Sequence, residues 1–397
     1  MKKYDIAIAG YTCVDMIPDF RKTGSATNLS DLFRPGKLTE INGLEVVPGG
    51  VVANTGLALK NFNRKVFLNG LVGDDFMGKI AKEWFEKYNI SEGIETTKKA
   101  GTAFSIVLAP PGVDRIFLES PGCNQIFDTS FINFDVIAQC RLFHFGYPPL
   151  LKLFFRNNGS QLVDMFSRVQ RMGVVTSLDF SVPDPESESG KINWPEVMQS
   201  VLPFTDIFVP SLEEVLQIMM PSKFAEIQAS TENNEVISQI PTELIREVGK
   251  LIIDYGVKIL LIKAGKRGAY LLTGDISLIN EKTGINLPEE NWSFRELWCE
   301  AYHADNSKII NASGAGDIAV AAFLSAILDG HCVESSLKYA SMAGRNTLYC
   351  HNIHSDLSKW QEMTKAISSE SIEIVDFKLR TKEIPKKDTG TKRKSEI

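Results

Sequence analysis

The chain has 397 residues, 44% of them hydrophobic and 23% charged, a globular balance with enough length to bury a core without staples. A formal charge of −6 argues against nucleic acid as the main partner, because binding to a phosphate backbone relies on clustered Lys and Arg. No apolar run approaches bilayer length, and the six cysteines, with no CxxC pair, read as reduced thiols of a cytoplasmic protein without a membrane partner.

Residues 4–10 alternate and then run apolar into Gly10, as a buried strand entering a turn does. The two lysines ahead of them lead into Tyr11 and Asp15 and so do not make a signal peptide. Residues 11–48 are rich in turn formers. The glycine pair Gly49-Gly50 opens a helix, residues 65–73 (KVFLNGLVG) read as a strand, and 77–90 have helical spacing with Ile80, Trp84, Phe85 and Tyr88 on one face. Residues 101–119 predict two strands joined by a Pro-Pro-Gly turn.

From about residue 140 the pattern becomes regular. Short apolar strands (141–146, 174–180, 206–210, 258–265) alternate with amphipathic helices (162–173, 194–202, 211–219, 242–256). Such alternation predicts an α/β fold with a doubly wound, mostly parallel sheet and helices on both faces. Residues 184–193 and 221–241 read as polar loops, while 275–307, long and mixed with Trp292 and Trp298, carry no pattern from which their structure can be read. The basic cluster Lys386, Lys387, Lys392, Arg393 and Lys394 reads as a solvated, disordered tail over 376–397, leaving 1–375 as one domain.

In open α/β sheets ligands bind at the carboxyl ends of the strands, and one such junction carries chemistry. In KIINASGAGDIAVAAFLSAILDG (308–330), a β-rich stretch leads into Gly314-Ala315-Gly316-Asp317 and then an apolar helix. Small residues let successive backbone N–H groups converge on an anion, and the helix start adds its positive end. Asp317 would repel a resting phosphate. It fits better as a general base that takes a proton from an attacking hydroxyl, while the amides of Gly314, Ala315 and Gly316 stabilise the transferred group. The competing reading makes Asp317 a simple helix cap. Two decoys fail: Gly314-x-Gly316-x-x-Ala319 lacks the return strand of a dinucleotide fold, and Gly73 to Lys79 spells GxxxxGK but continues with Ile80 where a P-loop needs Ser or Thr.

In order and spacing, these motifs resemble the ribokinase-like (pfkB-type) carbohydrate kinase family. The likeness spans about residues 4–370: Gly10-x4-Asp15, Gly49-Gly50-x3-Asn54, Gly73-Asp74-Asp75-x2-Gly78, Gly122-Cys123-Asn124, Gly265-Lys266-Arg267-Gly268 and Gly314 to Asp317. The resemblance implies a ribokinase-like sheet with a small β-sheet lid built from 11–48 and 98–121, closing over a sugar-like substrate and excluding water. It implies ATP with Mg²⁺, substrate contacts from Asp15, Gly49, Gly50 and Asn54, nucleotide contacts from Lys263, Gly265, Gly268 and Asn346, and a homodimer through the lid in some members. Glu214 of Ser211-x-x-Glu214 stands where a metal-supporting acid is expected, or is a solvent-facing helix acid beside Glu213. Lys263 stands where Thr is frequent, to reach phosphate or to flank the nucleotide. Asn311 replaces an acid that commonly holds a monovalent cation, so a potassium requirement is left open. Cys13 and Val51 replace polar sugar contacts, which argues against ribose. Arg115 reads as a partner for an anionic substrate or as an exposed lid charge. The expected activity is γ-phosphoryl transfer from ATP to a hydroxyl of a sugar-like molecule. Rival readings are a nucleoside kinase of the same family and a non-catalytic sugar or nucleotide sensor.

Overall fold

The structure, a computed structural model, describes residues 2–20, 33–110, 116–231, 236–282, 284–310 and 312–377. In chain order its strands are β1 (Tyr4–Gly10), β2 (Cys13–Pro18), β3 (Leu44–Gly49), β4 (Val66–Gly73), β5 (Ile94–Thr97), β6 (Phe104–Leu108) and β7 (Ile116–Ser120). They continue with β8 (Cys140–Gly146), β9 (Val175–Leu178), β10 (Ile207–Phe208), β11 (Ile259–Lys263), β12 (Ala269–Thr273), β13 (Glu296–Cys299) and β14 (Ile374–Asp376). Ten form one sheet in the order β14-β13-β12-β11-β10-β9-β8-β1-β4-β5. Pairing is parallel from β5 through β11 and antiparallel from β11 to β14.

The period-two alternation of β1 shows why both faces must be covered. Ile6 and Ile8 point into one apolar layer with the helices Gly50–Asn61, Ala315–Leu328 and Val333–Thr347. Ala7 and Ala9 point into the other, with the helices Lys152–Arg171, Trp194–Val201, Leu212–Met219 and Thr242–Asp254. The Ala315–Leu328 helix is apolar all round: Ile318, Val320, Phe323, Leu324 and Ile327 are fully buried, each contributing about 1.5–3 kcal/mol of hydrophobic stabilisation.

A second sheet, β3-β2-β6-β7, stands apart and is the candidate lid. Its inner face carries a cross-strand row, Val47–Asp15–Ser105–Glu119, set by the register of the four strands. The Pro-Pro-Gly turn falls largely on residues 111–115, outside the described residues, as does Arg115.

Three expectations need correction. Residues 221–241 are not a loop: helices run over Pro221–Ser230 and Val236–Gln239. Pro221 presets the first helical φ, and Phe224, Val236 and Ile240 join the core, an anchoring that the polar residues between them hide. Residues 308–310 form no strand. Ile309 and Ile310 are exposed, and the Ile310 amide donates to the Leu348 carbonyl rather than to a neighbouring strand. The mixed stretch 275–307 supplies the short helices Ser277–Asn280 and Glu289–Trp292 and strand β13. The sheet also runs past residue 375 through β14, with Phe377 buried against Tyr270 and Trp298; 378–397 lie outside the described residues. Among the described residues, no helix is long and apolar enough to cross a membrane, and all six cysteines are unpaired thiols.

Candidate active site

The cradle begins at Gly314, whose φ of 72° is left-handed. A Cβ there would sit 2.6 Å from the Ile353 Cδ1, so both conformation and space call for glycine. The helix starts at Ala315, and its first-turn N–H groups, including those of Gly316 and Asp317, have no acceptor within the helix. Lys263 runs beneath this turn: a Cβ on Gly316 would lie 3.8 Å from its Nζ. Asp317 does not cap the helix. It is buried, and its Oδ2 accepts from Asn54 Nδ2 at 2.9 Å. Its Oδ1 accepts from Thr55 Oγ1 at 3.4 Å and from the Tyr147 hydroxyl.

The glycine pair at the Gly50–Asn61 helix start makes room in two ways. A Cβ on Gly49 would lie 2.3 Å from the Asp15 Oδ2, so its absence makes room for that carboxylate. Gly50, at φ 79°, turns the chain past the Tyr11 carbonyl, which a Cβ would meet at 2.5 Å. Burial pushes the Asp15 carboxyl up to about 6, opposed by the Cys13 thiol and reinforced by Asp317 and Glu119. The Cys13 Sγ donates to Asp15 Oδ1 at 3.4 Å, and the Tyr11 hydroxyl donates to Glu119 Oε1 at 2.7 Å. Asn124 holds the lid root, its Nδ2 donating to the Thr12 carbonyl at 3.0 Å. Asp75 caps its helix through the Gly78 amide and binds Thr102, a structural turn.

On the other side of the cradle, Lys263 Nζ binds both oxygens of buried Asp179 at 2.9 and 3.1 Å. Burial pushes the Asp179 carboxyl up to about 7 against the pull of Lys263. Burial alone would lower the lysine, but Asp179 and Glu214 outweigh it and hold the ammonium above its ordinary value. The two-oxygen contact is that of an ion pair, in which Lys263 reaches Asp179. Glu214 and Ser211 form a capping box: Ser211 N donates to Glu214 Oε2 at 2.6 Å, and Glu214 N to Ser211 Oγ at 3.3 Å. Glu214 is thus engaged in its own helix's cap, partly exposed and within the field of Lys263 and Asp317. Gly265 and Gly268 shape the turn between β11 and β12, where a Cβ on Gly268 would meet the Cys299 carbonyl at 2.0 Å. Asn346 is engaged by Ser358 and Arg345. Asn311 lies outside the described residues.

Sequence reasoning missed Asp179, Tyr147, Tyr11 and Glu119. Asp179 and Tyr147 follow directly on the strands β9 and β8, the edge where ligands are expected; that position was the available signal. Ser-x-x-Glu at 211–214 is itself a capping-box pattern.

The family described as pfkB family carbohydrate kinase matches residues 6–360. The chain is 21% identical to the probable fructokinase-2 of Arabidopsis thaliana, over 80% of this chain and 81% of that one. It is 22% identical to a 5-dehydro-2-deoxygluconokinase of Bacillus licheniformis, over 93% and 98%. In fold it matches the ribokinase of Arabidopsis thaliana complexed with ribose and ATP, with a TM-score of 0.63 at 14% identity, over 92% of this chain and 98% of that one.

Proposed function

Because the chain belongs to the pfkB family of carbohydrate kinases, a phosphotransferase family acting on sugar hydroxyls, we propose that Asp317 is the general base for transfer of the γ-phosphoryl group of ATP to a sugar or sugar-like alcohol. The observation that carries this reading is the Asp317 carboxylate, buried at the first turn of the cradle helix and bonded to Asn54, which the family resemblance marks as a substrate contact. The acceptor hydroxyl gives its proton to Asp317 as its oxygen bonds to the γ-phosphorus, and the bond from that phosphorus to the β–γ bridging oxygen breaks. The products are a phosphorylated sugar and ADP. Amides of Gly314 to Asp317 stabilise the charge on the moving phosphoryl group.

Asp15 and Glu119, in one row of the lid's inner face with Ser105, supply acceptors and a hydroxyl suited to sugar OH groups. The donor set would suit a nucleotide: the first-turn amides of the Ala315–Leu328 helix have the Lys263 side chain beside them, and the Gly265–Gly268 turn follows Lys263 at the end of β11. Mg²⁺ would come with the nucleotide and neutralise its phosphates, with Glu214 and Asp179 as the carboxylates on the Lys263 side. The lid's outer face, with Leu44 and Leu118 half exposed, is the surface through which two copies would pair; sedimentation of Leu118→Lys against the wild type tests this.

The deciding experiment is ATP consumption over a panel of neutral sugars, sugar acids and nucleosides. Turnover with a sugar supports the reading, and the preferred acceptor names the substrate. A nucleoside preference would call for a base stacked on aromatic rings such as Tyr11 and Tyr147, whose centroids lie 6.3 Å apart. Ligand binding without turnover across the whole panel would make the chain a sensor and reject the kinase reading.

A further inference from the structure

Resting on Asp317 as the base, we infer that Tyr147 is the residue that positions it, anchoring Oδ1 together with Thr55 so that Oδ2, beside Asn54, is left to take the proton. A carboxylate offers about four acceptor positions. Among the described residues three are filled: two on Oδ1, by Tyr147 and Thr55, and one on Oδ2, by Asn54. The remaining position lies on Oδ2, next to an amide that can also orient an incoming hydroxyl.

Tyr147 is well placed to hold one geometry. It follows Gly146 at the end of β8, and its ring packs against both apolar layers of the sheet. Burial and the neighbouring Asp317 push its phenol well above the ordinary value, so it remains a donor. Its ring also lies against Tyr11, whose hydroxyl binds Glu119 on lid strand β7. A rigid phenol that donates to one oxygen fixes the carboxylate rotamer and favours its charged form.

The charged groups in the field of Asp317 are Asp15 from the lid, Asp179 after β9, Glu214 on its helix and Lys263 on β11. Tyr147→Phe changes none of them. With a sugar that the wild type phosphorylates, kcat falls about tenfold in this variant, the KM for ATP is unchanged, and the acidic limb of the kcat profile moves up by about one pH unit. A moved limb supports the assignment whatever the size of the fall. An unmoved limb overturns it, whether or not kcat drops, because a merely structural role would leave the limb in place. If Tyr147→Phe does not fold, Thr55→Val removes the other donor to Oδ1, and the same reading of the limb applies. A wild type without turnover would reject the base itself, an outcome distinct from failure of this inference.

Discussion

Asp317→Asn removes the base while keeping its volume, and the surrounding bonds set what else changes. The amide carbonyl can take the Oδ1 position and go on accepting from Tyr147 and Thr55. Its NH2 group then faces the Asn54 Nδ2, which now donates to Oδ2. Two donors would clash, but a half-turn of the Asn54 amide presents its carbonyl instead and restores the pair. The fold should therefore lose no more than about 1 kcal/mol. ATP affinity should hold or rise, since one negative charge leaves the phosphate side. Turnover should fall about 10²–10⁴-fold, roughly 3–5 kcal/mol on the barrier. Calorimetric nucleotide titration, thermal melting and coupled ADP release together measure all three. Turnover within tenfold of the wild type, with melting intact, would refute the base assignment.

Lys263→Met leaves Asp179 buried without its partner, which costs about 3–5 kcal/mol when that carboxyl is charged. Burial pushes the Asp179 carboxyl up to about 7 even against the pull of Lys263, and losing the lysine raises it further, so in urea unfolding the deficit should grow as the pH rises above 7 and shrink as it falls back to neutral. Asp15 faces Cys13, Glu119 and Asp317, and its folded value is raised from 3.8 to about 6. It therefore contributes stability below pH 4 that is lost as pH rises through 6. The stability of the wild type relative to Asp15→Asn should fall by about 3 kcal/mol between pH 4 and 7, and a flat difference would reject the raised value. Gly314→Ala must hold φ at 72° against Ile353; it should lower stability by about 1–3 kcal/mol and raise the KM for ATP.

What the sequence made legible was what is local. Gly314 to Asp317 could be read because four consecutive residues and the apolar helix behind them carry the whole cradle. Gly49 and Gly50 could be located, but not their separate reasons, which depend on Asp15 and Tyr11 arriving from another strand. Tyr147 and Asp179 lie 170 and 138 residues before Asp317 in the chain, and only the parallel order β9-β8-β1 brings their strand ends to one edge. Neither sits in a pattern that spacing could reveal. Residues 308–310 misled for a related reason: isoleucines favour strands, yet the sheet has no partner there and the segment rests on the end of the Val333–Thr347 helix instead.

The Ala315–Leu328 helix is buried along nearly its whole length, with Ala321, Ala322 and Ala326 packed as closely as its larger residues. Such an element has no rotation or slide available to it that would not open a void in the layer around it. On the proposed mechanism the helix that carries Asp317 is a fixed anvil, and any closure over a substrate would fall to the strands of the second sheet. Substitutions that stiffen the interior should raise the melting temperature without slowing turnover, while changes near Thr12 and Asn124, where the second sheet begins, should alter its pace.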